Sequence, residues 1–382
     1  MYWQSEVFRS AATWTRGGVY RQELPDSGML GGILIHVSAA PDGTNIVNAE
    51  KWRLKDYLSE LKIVGNGNRV IHSMTGPVLH AVDYLDHGVA NLDKAFNYGT
   101  STLRYHAFLP FGRRIFDKQY GLDLSAWDAV EMQFTNDGSS TYFSTDLSIT
   151  THLLWLRDAG PGSFRGYRSI EEWRKWTTVS DEWKYLDLPT EHRLRRLMLQ
   201  TYADVDANVL DEATPYNVAY EIKLKLRSGA VEVFNGNLRD LWYLNALYQG
   251  RDPIVGIEPY QADGKGIHTG FGQTLAMGGV RLPHGGSQST YGTSMVPGHD
   301  GQTLEREVPT DTDQDSLILS GLSYENVAFF PFDEDDDPGA YLDLKGEGTV
   351  KLDVHTRSGA TYADGTIRVM LDKMIMGQGP VG

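Results

Sequence analysis

Eleven histidines and fifty carboxylates are the raw material for chemistry in this chain of 382 residues, which has no cysteine. No histidine stands in a His-x-His or His-Glu-x-x-His spacing, so the patterns that gather imidazoles on one metal are absent. Without thiols there is neither a disulfide framework nor a thiolate metal site. His284-Gly285-Gly286-Ser287 has the composition of an oxyanion-hole loop. The nucleophile elbow it would need, Gly-x-Ser-x-Gly, is missing: Gly292-Thr293-Ser294-Met295-Val296 fails at its last position. Gly264-Lys265-Gly266-Ile267-His268-Thr269-Gly270 has the glycine density of a phosphate loop, but Pro259 stands where a P-loop needs its first glycine. It reads as plain loop. Asp333-Glu334-Asp335-Asp336-Asp337 supplies five carboxylates, the oxygen ligands calcium prefers, without the glycine of an EF-hand loop. It reads as a solvated turn in place of the 112–120 loop. A pair of carboxylates for glycoside hydrolysis stays open, because separation in space decides that case. The residues therefore assign no catalytic, cofactor-binding or metal-binding site, and no cofactor.

The elements tell more. Ala107-Phe108-Leu109-Pro110-Phe111 returns as Ala328-Phe329-Phe330-Pro331-Phe332. Leu122-Asp123-Leu124 returns as Leu342-Asp343-Leu344, Val130 to Phe134 as Val350 to Val354, and Thr141-Tyr142 as Thr361-Tyr362, all at an offset of 220 residues. Upstream, Leu24-Pro25 matches Leu188-Pro189, Ile33-Leu34-Ile35 matches Leu197-Met198-Leu199, and Gly67, Ile71 and Gly88 match Gly229, Val233 and Gly250 at an offset of 162. The jump from 162 to 220 places an insertion of 58 residues in the second copy. An ordered series with one jump makes the chain two copies of one module.

Each copy is β-rich. Val130, Met132 and Phe134 alternate with Glu131 and Gln133, the period of a strand with one buried face. Gly65-Asn66-Gly67-Asn68 is a hairpin turn, and Arg227-Ser228-Gly229 takes its place in the second copy. A helix follows in each. The first has Thr75 as cap, Pro77 in its first turn and Val78, Val82 and Leu85 on one face. The second puts Leu238, Leu241, Trp242 and Asn245 on one face. Both end at a glycine, Gly88 and Gly250.

The expected division is an N-terminal arm at 1–23, a first module at 24–156, a connector at 157–187 and a second module at 188–382, with an inserted loop at about 251–326. The arm carries Trp3, Phe8, Trp14 and Tyr20, to pack on its own domain or on a neighbour or membrane surface. In the connector, Ser169 with Glu172 forms a capping box ahead of Trp173 and Trp176, which predicts a short helix. The stretch 250–301 has 13 glycines and no helical period, so it reads as a long looped excursion with Phe271, Leu275, Met277, Val280 and Leu282 to bury.

Charge narrows the partners. A formal charge of −15 without a Lys/Arg-rich run is unsuited to coating nucleic acid. No run of about 18 apolar residues is present to span a membrane. Met1-Tyr2-Trp3-Gln4-Ser5-Glu6 lacks the basic start and apolar stretch of a signal peptide. The absence of cysteine fits folding in a reducing host cytoplasm.

The repeated order, carried by Phe108-Leu109-Pro110-Phe111 and Phe329-Phe330-Pro331-Phe332, the helices ending at Gly88 and Gly250, and the long second-copy insertion, resembles the double jelly-roll major capsid proteins of tailless icosahedral viruses. These include tectiviruses, corticoviruses and adenoviruses. The resemblance implies an all-β fold of two tandem eight-stranded antiparallel jelly rolls with short helices. It implies a structural protein of the virion, a bacteriophage capsid among the candidates, and not an enzyme. Its partners would be itself as a homotrimer of pseudo-hexagonal outline, neighbouring capsomers, minor or vertex capsid proteins and an internal membrane surface, with no direct nucleic acid. The insertion would be an outward tower and the arm would lie near the base. Jelly rolls suit this, since two stacked sheets leave broad flanks for lateral contact. Two other classes stay open: a two-jelly-roll glycan-processing enzyme resembling peptide-N-glycosidases, and a carbohydrate-binding module. The Pro110-Phe111 and Pro331-Phe332 segments are expected to fix corresponding corners of the two barrels.

Overall fold

The computed structural model describes residues 1–40, 54–88, 103–137, 146–203, 218–250, 325–333, 337, 339, 341–357 and 365–377, and the backbone of five strands between 254 and 320. The first half runs β1 (Tyr2–Trp14), β2 (Val19–Glu23), β3 (Met29–Ala39), α1 (Leu54–Tyr57), β4 (Leu58–Gly65), β5 (Arg69–Met74), α2 (Gly76–His87), β6 (Leu103–Pro110), β7 (Leu122–Asp123), β8 (Val130–Asn136) and β9 (Leu147–Arg157). The second half runs β10 (Gly166–Thr177), β11 (Trp183–Asp187), β12 (Arg193–Ala203), β13 (Glu221–Leu226), β14 (Val231–Gly236) and α3 (Leu238–Gln249). Five insertion strands follow: β15 (Ile254–Ile257), β16 (Ile267–Phe271), β17 (Thr293–Gly298), β18 (Gly301–Arg306) and β19 (Leu317–Ser320). The chain closes with β20 (Val327–Pro331), β21 (Leu342–Asp343), β22 (Lys351–His355) and β23 (Gly365–Met376).

The strand orders repeat. In the first module β1-β9-β3-β6 faces β2-β8-β4-β5; in the second, β10-β23-β12-β20 faces β11-β22-β13-β14. Each is an eight-stranded jelly roll, and the short β7 and β21 occupy matching places on β3 and β12. Sequence alternation builds the cores: Val130, Met132 and Phe134 of β8 are buried between residues that are only half-buried. The modules are fused where β5 and β10 meet in parallel through Ser73 and Glu171.

One sheet is apolar on both faces. Leu197 and Leu199 of β12, Ala328 and Phe330 of β20, and Val369 and Leu371 of β23 belong to the second core. Met198, Val327, Phe329 and Met370, pointing the other way, belong to the first. The first module therefore packs on the outer face of β10-β23-β12-β20, and Val327–Pro331 is a continuous apolar run for that reason.

Three expectations are corrected. Residues 1–23, expected as an arm, are β1 and β2, and β1 pairs with β9 along its length. The expected connector at 157–187 contains no helix: Ser169 and Glu172 lie in β10, paired with Lys373 and Met370 of β23. A local capping signal is worth about 1 kcal/mol and loses to a continuous ladder with partly buried Trp173 and Trp176. The insertion is not loop alone, because β15 pairs with β19, and β18 lies between β16 and β17. Thr75 does hold the N-cap place of α2, but its side chain makes no capping bond; in α3, Asn237 and Asp240 form a reciprocal capping box.

Candidate functional site

The most ordered chemistry is the junction between modules. α2 closes at Gly88, whose φ of 68° is the left-handed conformation only glycine adopts freely, and Gly250 closes α3 at the same φ. Near the end of α2, Asp86 reaches the second module. It pairs with Arg168 of β10 and, at 3.1 and 2.8 Å, with Arg195 and Arg196 of β12. Arg168 also holds Asp372 of β23 through two bonds of 2.8 and 2.7 Å. Asp333 accepts from Arg195 at 2.9 Å and from the Tyr248 hydroxyl at 2.9 Å. Burial alone would raise the Asp86 carboxyl, but Arg168, Arg196 and Arg195 together hold it far below the usual carboxylate range. Burial opposes the charge on Arg168, yet Asp372 and Asp86 raise it above its ordinary value. Burial, then Asp333, pushes the Tyr248 phenol up to about 12.

A second ionic group crosses the junction at the other end of α2. Glu325, entering β20, accepts from Lys55 of α1 and lies 2.7 Å from His80 Nδ1 of α2, all buried. Between the groups, at the parallel seam, Ile170 N–H donates to buried His72 Nδ1 at 3.1 Å. Such networks of charge add little net stability but penalise every other docking of the modules, since each misplaced ion would be buried alone.

These residues sit where signals in sequence did not point. Of the acidic run, Asp333 is buried in this ion network, Asp337 is exposed and accepts from Gly339 N–H at 2.9 Å, and 334–336 lie outside the described residues. So do 264–266 of the glycine-rich stretch and 284–287; of 267–270 only the backbone, in β16, is described. Among the described residues no three His, Asp or Glu side chains are grouped to hold a metal. The Pro-Phe corners are equivalent. Phe111 N–H donates to Gly31 and Phe332 N–H donates to Arg195, at 3.0 and 2.9 Å, from matching places on β3 and β12.

The outer face of β1-β9-β3-β6 carries a different set. His36 of β3 stacks on His106 of β6 with ring centroids 4.2 Å apart. Burial, then His106, Arg104 and His152, lowers His36 below the usual imidazole value. Phe108 lies over Gly32, where a Cβ would come within 2.3 Å of the ring.

No protein-family model matches the chain, and no curated protein is similar to it in sequence. Solved structures are similar in fold. The STIV MCP, of Sulfolobus turreted icosahedral virus, matches at 10% identity and a TM-score of 0.61, covering 98% of this chain and 97% of that one. The major capsid protein from bacteriophage PM2 matches at 9% identity and a TM-score of 0.52, covering 99% and 100%. The PBCV-1 virus capsid matches at 9% identity and a TM-score of 0.53, covering 98% and 93%. The chain has the double jelly-roll fold, which these viral capsid proteins share over most of their length.

Proposed function

We propose that this chain is a major capsid protein, a structural subunit of a virion shell. The observation that carries the reading is two jelly rolls of identical strand order, side by side in one chain, similar over almost all its length to viral coat proteins. Three such chains place six similar modules around an axis and give a pseudo-hexagonal block that tiles an icosahedral shell. On this reading the modules span 2–157 and 166–376, and the insertion at 251–326 is the outward tower. The formal charge of −15 supports an internal membrane between shell and genome, because a shell lining that touched nucleic acid would need cations. Minor and vertex proteins would meet the capsomer flanks. No catalytic role is assigned: the buried charges of the junction are used on one another.

Light scattering during size exclusion tests the reading. The expected species has three times the 42.6 kDa chain mass, and electron microscopy should show hexagonal blocks. A monomer that persists on concentration would remove the capsomer reading.

A further inference from the structure

The duplication lets one sheet face be compared with its own copy. On β2, β8 and β4 the outer rows run Val19, Thr135, Glu60 and Arg21, Gln133, Lys62. The matching rows on β11, β22 and β13 run Trp183, His355, Glu221 and Tyr185, Asp353, Lys223. Glutamate and lysine are common to both faces; the three rings, Trp183, Tyr185 and His355, belong to the second alone. The alternate residues of these strands, Leu186, Leu352, Val354, Ile222 and Leu224, pack in or against the second core, so the rings point away from it. Tyr185 is 70% exposed.

The rings form an ordered row. Trp183 is parallel to His355 within 5°, with centroids 4.6 Å apart, and to Tyr185 within 11°, at 6.0 Å. Lys223 Nζ lies 4.8 Å from the centre of the Trp183 ring. The charges around the rings are matched: Lys223 with Glu221 at 2.8 Å, Lys225 with Asp353 at 2.6 Å, and His355 Nε2 with Asp181 at 3.0 Å. Asp353 is buried on this face. Lys225 takes its Oδ2, and its Oδ1 has no hydrogen-bond partner among the described residues. A buried acceptor left open in this way is costly, and the lysine stems beside it are flexible enough to part.

This combination selects among ligands. An anion would have to take Lys223 or Lys225 from its carboxylate, and a cation would meet Lys223 over the indole. An apolar chain would strip water from the ion pairs and return no hydrogen bond. A neutral saccharide does neither: one face of its ring is C–H and stacks on an aromatic face, and its hydroxyls both donate and accept. We propose that Trp183, Tyr185 and the polar residues beside them bind a neutral oligosaccharide, with the Asp353 carboxylate accepting from a sugar hydroxyl. Trp183, His355 and Glu221 stand at the end of the sheet where β14 finishes and leads through α3 to the insertion. The site goes beyond the coat-protein reading and does not depend on it; on that reading it lies at the outward end, where glycans of another surface are met.

Array binding of the full chain, followed by calorimetric titration of the sugar retained, tests the site. The probes are short neutral oligosaccharides of glucose, galactose, mannose and N-acetylglucosamine. The unmodified chain should bind at least one of them, and binding should persist in about 0.5 M sodium chloride, where contacts between exposed ions are screened. Tyr185→Ala and Trp183→Ala should each weaken binding by about 10-fold, the loss of one stacked ring. Val19→Ala, the matching change on the first module, should leave it unaltered. Tyr185 is the more exposed of the two rings, so Y185A keeps the test open should W183A unfold at a lower temperature. Absence of binding to every neutral probe overturns the proposal, as does binding that the ring variants retain or that salt abolishes. Each of these outcomes leaves the coat-protein reading standing, because the mass of the assembled species tests that reading separately.

Discussion

Asp86 concentrates the burden of the junction. It is a buried carboxylate from one module answering three guanidiniums of the other. Asp86→Asn should cost about 3–5 kcal/mol in urea unfolding, because the arginines stay buried with less compensation. His72 sets a pH response. Burial, then the nearby Arg168 charge, holds its imidazole down to about 3, against 6.5 when unfolded. The folded chain thus binds fewer protons than the unfolded chain between those values. Stability is full above pH 6.5 and falls as pH drops toward 3, with a slope of about 1.4 kcal/mol per unit. His72→Gln, which keeps an acceptor for Ile170 N–H, should flatten that slope when unfolding is followed from pH 7 to 4.5. The acidic residue at 86 and the arginines at 168, 195 and 196 carried no motif. Their pairing is set by packing across more than 80 positions of sequence.

At the scale of the element, α3 shows how a helix finishes a sheet. Asn245 donates from Nδ2 to the Phe329 carbonyl at 2.6 Å, and Phe329 N–H donates to Asn245 Oδ1 at 2.9 Å. The side chain thereby completes the edge of β20, where no further strand pairs among the described residues. Asn245→Leu should cost about 2–4 kcal/mol by orphaning a buried donor and acceptor, and the Phe329 amide should exchange with deuterium faster. The helices, their glycine ends and strand β8 were legible in the residues because their signals are local: a period of 3.6 or 2, and a backbone only glycine adopts easily. β10 was not legible, because Gly166 to Ile170 are buried on both faces and the alternation vanishes. Nor was β1, an edge strand whose exposed residues show little pattern.

For the whole molecule, the shared core is decisive. Met198, Val327, Phe329 and Met370 of the second module lie in the first hydrophobic cluster, so neither module can unfold without exposing the other. Scanning calorimetry should record one cooperative transition rather than two. The Asp86→Asn change should lower that single transition and not split off a separate module.

The sequence alone determined the duplication, the barrel corners at Pro110-Phe111 and Pro331-Phe332, the caps at Gly88 and Gly250, and the site of the insertion. Those features follow from short-range rules of turn, cap and period, which act wherever the residues stand. Tertiary structure decided the roles of 1–23 and 157–187, the burial of Asp333, and which helix flank is covered and which is open. Both helices carry apolar residues on more than one side, and only the packing of the modules tells α2, which is covered on both, from α3, which is covered on one.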